Sequence, residues 1–190
     1  IRFSETCPSS DGAIAMVLAS ESAAEASAAS TGVRPAWVLG TAMRSEPAMA
    51  SGRDQVSPQA GKDCAADVFA QAGITDPRRE IDVVEMYVPF SWYEPMWLEN
   101  LGFAAEGEGW KLTESGVTQM GGDLPVNCSG GVLSSNPIGA SGMIRFGEAA
   151  MQVRGQAGAH QIDGARTAVG HAYGGAAQYY AMWVVSADKP

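Results

Sequence analysis

The chain has 190 residues, of which 46% are hydrophobic and 17% are charged, so it is long enough to bury a core and has the composition of a packed globular protein. Its formal net charge of −9 argues against nucleic acid and against an anionic membrane as partners. Cys7, Cys64 and Cys128 show neither a CxxC pattern nor a Cys/His ligand spacing, which argues against a disulfide framework and against a zinc site.

The sequence shows no targeting segment. It has no charged stretch followed by an apolar one, and no unbroken apolar run approaches the length of about 18 residues that a membrane span needs. We therefore expect a cytoplasmic protein with reduced thiols and no membrane span. The first residue is Ile1 rather than methionine, and from this we expect a fragment of a longer polypeptide.

The first third of the chain predicts two strands and a helix. The apolar run Ala13–Ala19 has the length of a buried strand, and the Ala- and Glu-rich stretch Glu21–Ala29 favours a helix. A second strand is predicted over Ala36–Thr41. The polar stretch Met43–Val56 contains Gly and Pro, and it is predicted to be a loop.

The middle of the chain continues this alternation. Pro58–Ala72 has apolar residues at helical spacing, and Gly73 is placed to end that helix. The β-branched run Ile81–Tyr87 predicts a strand, and Ser91 is a candidate cap for a helix that ends near Leu101. The glycine-studded stretch Gly102–Gly122 predicts a loop.

The segment Leu124–Gly142 is rich in Gly, Ser, Asn and Pro, and a predicted helix, Met143–Arg154, follows it. A turn of this kind at the start of a helix presents backbone N–H groups and the positive end of the helix dipole, which suits an oxyanion or a phosphate. A connecting loop before a capped helix explains the same pattern. The glycines that would allow close approach of a ligand are Gly130, Gly131, Gly139 and Gly142.

Two strands, Thr167–Gly170 and Gln178–Val185, are predicted at the C-terminal end, with a tight turn at Gly174 and Gly175 between them. Strands and helices thus alternate until the final pair of strands. This order predicts an α/β fold in which a mixed sheet packs against helices in layers.

Two motifs carry a resemblance to a known family. Val126–Gly131 reads V-N-C-S-G-G and Asn136–Gly142 reads N-P-I-G-A-S-G, and both resemble the C-terminal half of the thiolase superfamily, especially its sterol-carrier-protein-type and lipid-transfer-protein branch. The similarity continues through Arg154–Gly158 and His171–Gly175. It implies that residues 1–190 form a thiolase-like C-terminal domain in a layered α/β/α arrangement. It also implies that one face stays apolar until the absent N-terminal half docks.

The resemblance places three loops of this chain around a thiolase-type site, and each loop departs from the family pattern. Glu85–Phe90 stands where the branch has E-L-H-D-C-F, so Tyr87 replaces its histidine. Asn136 replaces the histidine of a G-H-P motif; it can donate a hydrogen bond to an oxyanion but cannot exchange a proton. His171–Gly175 lies where many thiolases have a C-x-G cysteine.

These departures shift the expected chemistry. A tyrosine with a histidine partner suits proton exchange with a hydroxyl group, which retro-aldol cleavage of a β-hydroxyacyl-CoA requires. The resemblance therefore implies His171, Tyr173, Tyr87 and Asn136 as catalytic residues. Packing explains the first three as well: His171 as a core histidine, Tyr173 beside two glycines, and Tyr87 at a strand end. The substrate-binding candidates are Gly130, Gly131, Gly139, Ser141, Gly174 and Gly175.

The leading hypothesis is an enzyme that cleaves a bulky steroid or lipid β-hydroxyacyl-CoA. Two alternatives remain: an acetyl-CoA C-acyltransferase that uses a cysteine of the missing half, and a non-catalytic subunit that binds acyl-CoA or lipid. The resemblance implies no bound cofactor or metal, since coenzyme A enters as part of the substrate. It also implies a homo-oligomer, and in one branch an OB-fold partner protein.

Overall fold

A single mixed sheet of four strands organises the chain, and the computed structural model describes all 190 residues. The strands are β1 (Trp37–Ser45), β2 (Val83–Met86), β3 (Thr167–Gly174) and β4 (Tyr179–Ser186). They stand in the order β1-β4-β3-β2; β4 is antiparallel to both of its neighbours, and β2 runs parallel to β3. The α/β class with a mixed sheet is confirmed.

Helices cover both faces of the sheet. Seven α-helices are present, and two short 3₁₀ turns lie at Phe3–Glu5 and Gly158–His160. The helices are α1 (Glu21–Thr31), α2 (Gln59–Ala72), α3 (Pro77–Glu80), α4 (Tyr93–Asn100), α5 (Gly109–Glu114), α6 (Gly131–Ser134) and α7 (Ser141–Arg154). None of them combines the length and the apolar character that a membrane crossing needs.

The core is divided between the two faces because successive side chains of β3 point to opposite sides. Val169 belongs to the larger cluster, which includes Val68 of α2 and Trp97 of α4. Ala168 belongs to a smaller cluster with Ala149 and Val153 of α7. Helix α7 thus lies on one face, and α2 and α4 lie on the other.

Several predicted elements are confirmed. Helix α2 ends at Gly73, whose φ of 70° is the left-handed conformation of a C-terminal cap, and α7 ends in the same way at Gly155. Helix α1 also lies where composition placed it. The two C-terminal strands form a hairpin, and Gly175 lies in its loop.

The predicted strand over Ala13–Ala19 is wrong, since this segment has no regular structure. Val17 and Leu18 are 94% and 79% exposed, and no backbone hydrogen bond to another strand is formed there. Apolar content favours a strand only where a neighbour can accept its hydrogen bonds. The segment is instead fixed at Ile14, which packs against Gly147, where even a Cβ would lie 2.5 Å from the Ile14 side chain.

Three further boundaries differ from expectation. Strand β1 extends to Ser45 because Met43 and the residues after it pair with β4, so the loop predicted from Met43 begins later. Ser91 does not cap α4; Trp92 stands at the N-cap, without a side-chain cap bond. The stretch Gly102–Gly122 contains α5, whose first residue, Gly109, lies too close to the carbonyl of Pro95 for any side chain.

Candidate active site

The parallel pair β2/β3 brings the first candidate residue into place. Tyr87 follows the last residue of β2, and its N–H donates to the carbonyl of His171 on β3 at 3.1 Å. Its own carbonyl accepts from the indole N–H of the fully buried Trp97 at 2.9 Å. With both backbone groups bonded, the Cα of Tyr87 is fixed and its half-buried ring points in a defined direction.

Tyr173, near the end of β3, meets Tyr87 directly. The two ring centroids lie 5.2 Å apart with the planes at 89°, an edge-to-face contact, and Tyr93 packs on Tyr173 at the same distance. Burial raises the pKa of both phenols, and for Tyr173 the neighbouring tyrosines raise it further. Both hydroxyls are therefore protonated at neutral pH.

Asn136 connects Tyr87 to α7. The Tyr87 hydroxyl donates to Asn136 Oδ1 at 3.1 Å, and the Ser141 hydroxyl donates to the same oxygen at 2.7 Å. Asn136 is only 2% exposed, so these contacts replace contacts with water. The replacement of a family histidine by asparagine thus gives an amide that holds the phenol of Tyr87.

The N-terminal segment completes this network, which sequence reasoning missed. The Asn136 amide nitrogen donates to Cys7 Sγ at 3.1 Å, and the Asn136 backbone N–H donates to the Ser10 hydroxyl at 2.7 Å. Cys7 is itself held in place by a bond from its N–H to the carbonyl of Pro89. Nearly 130 residues separate Cys7 from Asn136, and no local pattern in the sequence links them.

A buried ion pair lies behind the site. Arg145 of α7 contacts Glu85 of β2 at 2.5 Å, and Ser129 donates to the same carboxylate through both its hydroxyl and its N–H. Both charged side chains are almost fully buried. Burial raises the pKa of Glu85, an effect that Arg145 and Ser129 oppose. Glu85 and Tyr87 lie two residues apart, and Ser141 and Arg145 lie about one turn apart on α7. The Glu85–Arg145 ion pair and the hydrogen bonds from Tyr87 and Ser141 to Asn136 therefore join the segment of β2 to α7 side by side.

His171 lies behind Tyr173 rather than beside it. Its side chain is fully buried against Trp97 and Tyr180, and neither ring nitrogen has a hydrogen-bond partner. Burial lowers its pKa to about 3, so the imidazole is neutral. The ring centroids of His171 and Tyr173 are 6.3 Å apart, and no hydrogen bond joins the two side chains. The structure therefore brings Tyr87, Tyr173 and Asn136 into contact and leaves His171 in the core.

The substrate-binding candidates fall into three places. Gly130 and Gly131 both have positive φ and follow Ser129 at the start of α6. Gly139 is exposed with a φ of 99°, whereas Ser141 is buried and already bonded to Asn136. Gly174 and Gly175 lie directly after Tyr173.

A shallow apolar cavity of about 160 Å³ lies over β1, β3 and β4. The paired residues Met43, Ala181 and Ala172 place it on the α7 face of the sheet, opposite to the face on which the ring of Tyr173 packs. Met43 and Tyr179, both more than half exposed, form part of its rim. No group of three or more His, Cys, Asp or Glu side chains is placed to hold a metal ion.

The family with the description "Thiolase C-terminal domain-like" matches residues 42–187 of this chain. The chain belongs to that family. The matched range includes β2, β3, β4, the end of β1, α7 and the three loops that carry Tyr87, Asn136 and Tyr173.

Individual family relatives agree with this assignment. An acetyl-CoA acetyltransferase of Methanothermobacter thermautotrophicus is 34% identical over 98% of this chain, and sterol carrier protein 2 of Homo sapiens is 32% identical over 90%. The chain spans 48% of the first relative and 31% of the second. Among solved structures, an Ltp2-ChsH2(DUF35) aldolase matches 82% of this chain and 41% of its own, with a TM-score of 0.72 and 25% identity.

Proposed function

We propose that this family member acts on a carbon–carbon bond of an acyl-CoA thioester, by retro-aldol cleavage of a bulky β-hydroxyacyl-CoA. One observation carries the proposal: the two phenols of Tyr87 and Tyr173 meet edge to face, and Tyr87 is bonded to Asn136. The three positions correspond to the three loops of a thiolase-type site. In this chain they present hydroxyl and amide groups.

These groups suit a cleavage that starts from a hydroxyl. In the proposed step the β-hydroxyl loses its proton and becomes a carbonyl, the Cα–Cβ bond breaks, and its electron pair forms the thioester enolate. A proton then reaches the α-carbon of the shortened acyl-CoA. The net movement of one proton from oxygen to carbon means that Tyr87 and Tyr173, both protonated at the start, end in the same state.

The rest of the proposed site follows from its surroundings. Gly130, Gly131 and Gly139 would approach the thioester and the pantetheine arm of coenzyme A. Coenzyme A enters as part of the substrate. The aldolase with a matching structure carries a second component in its name, ChsH2(DUF35), which supports a partner protein for this chain as well.

Thiolysis is the second candidate. The acetyl-CoA acetyltransferase that matches 98% of this chain favours it. Thiolysis requires a nucleophilic cysteine and a base with a suitable pKa. Because the chain spans about half of that relative, the nucleophile would come from the remainder of the protein.

The deciding experiment incubates the full-length protein, with any partner that co-purifies, with a bulky β-hydroxyacyl-CoA in the absence of free CoA. We expect a ketone or aldehyde and a shortened acyl-CoA. Tyr87→Phe and Tyr173→Phe should each lower kcat by about 10²- to 10⁴-fold, the usual contribution of a general acid or base. Product formation is followed by mass spectrometry.

A matched control comes from the same residue type. Tyr180→Phe removes a buried hydroxyl that has no hydrogen-bond partner, so kcat should stay within a factor of two or so of the unmodified protein. Cleavage of a β-ketoacyl-CoA only when free CoA is present would establish thiolysis instead. Binding of both thioesters without turnover would point to a binding subunit.

A further inference from the structure

The side-chain amide of Asn136 has two orientations of nearly identical shape. A half-turn about its last bond exchanges Oδ1 and Nδ2 without moving any neighbour, so hydrogen-bond partners decide between them. One end of the amide faces two hydroxyls, Tyr87 at 3.1 Å and Ser141 at 2.7 Å. The other end faces the thiol of Cys7 at 3.1 Å.

With the amide oxygen toward the hydroxyls, both hydroxyl protons are paired but the amide protons are not. The Ser141 proton goes to the amide oxygen, and the Pro137 carbonyl, 3.0 Å from Ser141 Oγ, already accepts from the backbone N–H groups of Ala140 and Ser141. The Tyr87 hydroxyl proton goes to the amide oxygen as well. At the other end, the amide nitrogen offers two protons to a single thiol sulfur, which is a weak acceptor.

With the amide nitrogen toward the hydroxyls, both amide protons and the thiol proton have acceptors, and only the proton of the half-buried Tyr87 hydroxyl stays free. The two amide protons go to Ser141 Oγ and to the Tyr87 hydroxyl oxygen, one each. The Ser141 proton then goes to the Pro137 carbonyl alone, at 3.0 Å. The Cys7 thiol donates to the amide oxygen. In a site where Asn136 is 2% exposed, the orientation with more complete pairing is favoured.

We infer that the Asn136 amide donates to both Tyr87 and Ser141, that Cys7 and Ser141 fix it in this orientation, and that Tyr87 therefore keeps its own hydroxyl proton for the substrate. Asn136, Ser141 and Cys7 are then positioning residues. Both amide protons are taken, so none remains for a thioester oxyanion, which differs from the role that the sequence alone indicates for Asn136.

This orientation also defines what Tyr87 does, a step that rests on the proposed function. A phenol oxygen that accepts from an amide N–H is stabilised if it becomes negative, whereas one that faces a carbonyl oxygen is not. Tyr87 can therefore release its own proton, which replaces the one that the α-carbon gains, and take the proton of the β-hydroxyl in return. An acceptor-only neighbour in place of the amide would prevent this exchange.

The direct test is a neutron crystal structure of the full-length protein, with any partner, after exchange into D₂O. We expect two deuterons on the Asn136 atom that faces Tyr87 and Ser141, and one deuteron on Cys7 Sγ directed at the amide. Two deuterons on the atom facing Cys7 would overturn the inference. This result requires no turnover, so it stands or falls separately from the retro-aldol proposal.

The kinetic test uses matched pairs. Cys7→Ala and Ser141→Ala each remove one of the bonds that fix the amide, and each should lower kcat about 3- to 10-fold with little change in KM. Cys7→Ser keeps a donor at this position and should recover most of the lost kcat. Equal loss in Cys7→Ala and Cys7→Ser, or a loss confined to KM, would contradict a positioning role.

Discussion

At the scale of the single residue, a position within a family motif can still be buried in the core by the fold. His171 lies in the segment that resembles an acid/base loop, yet its ring is fully enclosed by Trp97, Tyr173 and Tyr180. Strand alternation explains this: a side chain at 171 on β3 points to the same face as Val169, which belongs to the larger core cluster. Tyr173 points to the same face but lies nearer the end of β3, where it meets Tyr87. The motif therefore identifies which residues are near the site, and the position along the strand decides which of them contact it.

The burial of His171 predicts an acid sensitivity. Its pKa is about 3 in the folded chain and about 6.5 in an unfolded one, so below pH 6.5 the unfolded state binds more protons. Its contribution to stability is therefore complete above pH 6.5 and decreases as the pH falls, by up to about 1.4 kcal/mol per pH unit. Substitution His171→Phe should remove this part of the pH dependence.

Urea unfolding at several pH values measures the part of the pH dependence that is due to His171. Between pH 8 and pH 5, the free energy of unfolding should fall by about 2 kcal/mol more in the unmodified protein than in His171→Phe. Parallel curves for the two proteins would mean that the His171 ring reaches water.

At the scale of the elements, the strongest sequence patterns were the most informative. Helices α2 and α7 combine helical spacing with a terminal glycine, and both lie where they were predicted. The run Ala13–Ala19 has only apolar content, which cannot tell whether a neighbouring strand exists to accept its hydrogen bonds. Within the site, motifs locate Tyr87, Asn136 and Tyr173, but Cys7 reaches Asn136 only through tertiary folding.

The contact between β2 and α7 gives a prediction at this scale. Substitution Arg145→Met leaves the fully buried Glu85 without its counter-charge, which typically costs about 3–5 kcal/mol of unfolding free energy. The folded-state pKa of Glu85 is already raised, and loss of Arg145 raises it further. The folded state then favours the protonated acid, so the loss should grow as the pH rises above the unfolded value of about 4.3.

Chemical denaturation at pH 5 and pH 8 measures both parts of this prediction. We expect a larger loss at pH 8, and the double variant Glu85→Gln/Arg145→Met should recover much of it because no buried charge remains. Arg166→Met is the matched control, since its pair with Asp188 is more than half exposed and solvent screening leaves such a pair little effect on stability. A loss in Arg145→Met that is the same at both pH values would contradict the prediction, because it would mean that removal of Arg145 leaves the protonation of Glu85 unchanged.

At the scale of the whole molecule, the chain leaves apolar surface uncovered near the candidate site. Met43 on the edge strand β1 is 75% exposed and lies at the rim of the cavity over β1, β3 and β4, and Tyr179, also at that rim, is 54% exposed. Ile138 and Met143, at the start of α7, are 83% and 47% exposed. Apolar side chains of this size tend to be covered by a partner or a ligand.

We therefore expect the 190-residue chain, studied by itself, to self-associate through this surface. Sedimentation velocity at increasing concentration should show species larger than the 19.8 kDa monomer, and Met43→Lys should shift them toward the monomer because a charge in a dry interface is costly. Met49→Lys provides the control, since Met49 is 56% exposed in the loop after β1 and does not line the cavity. If Met43→Lys left association unchanged while Met49→Lys abolished it, the interface would lie at the loop instead. A monomer at every concentration would contradict this prediction.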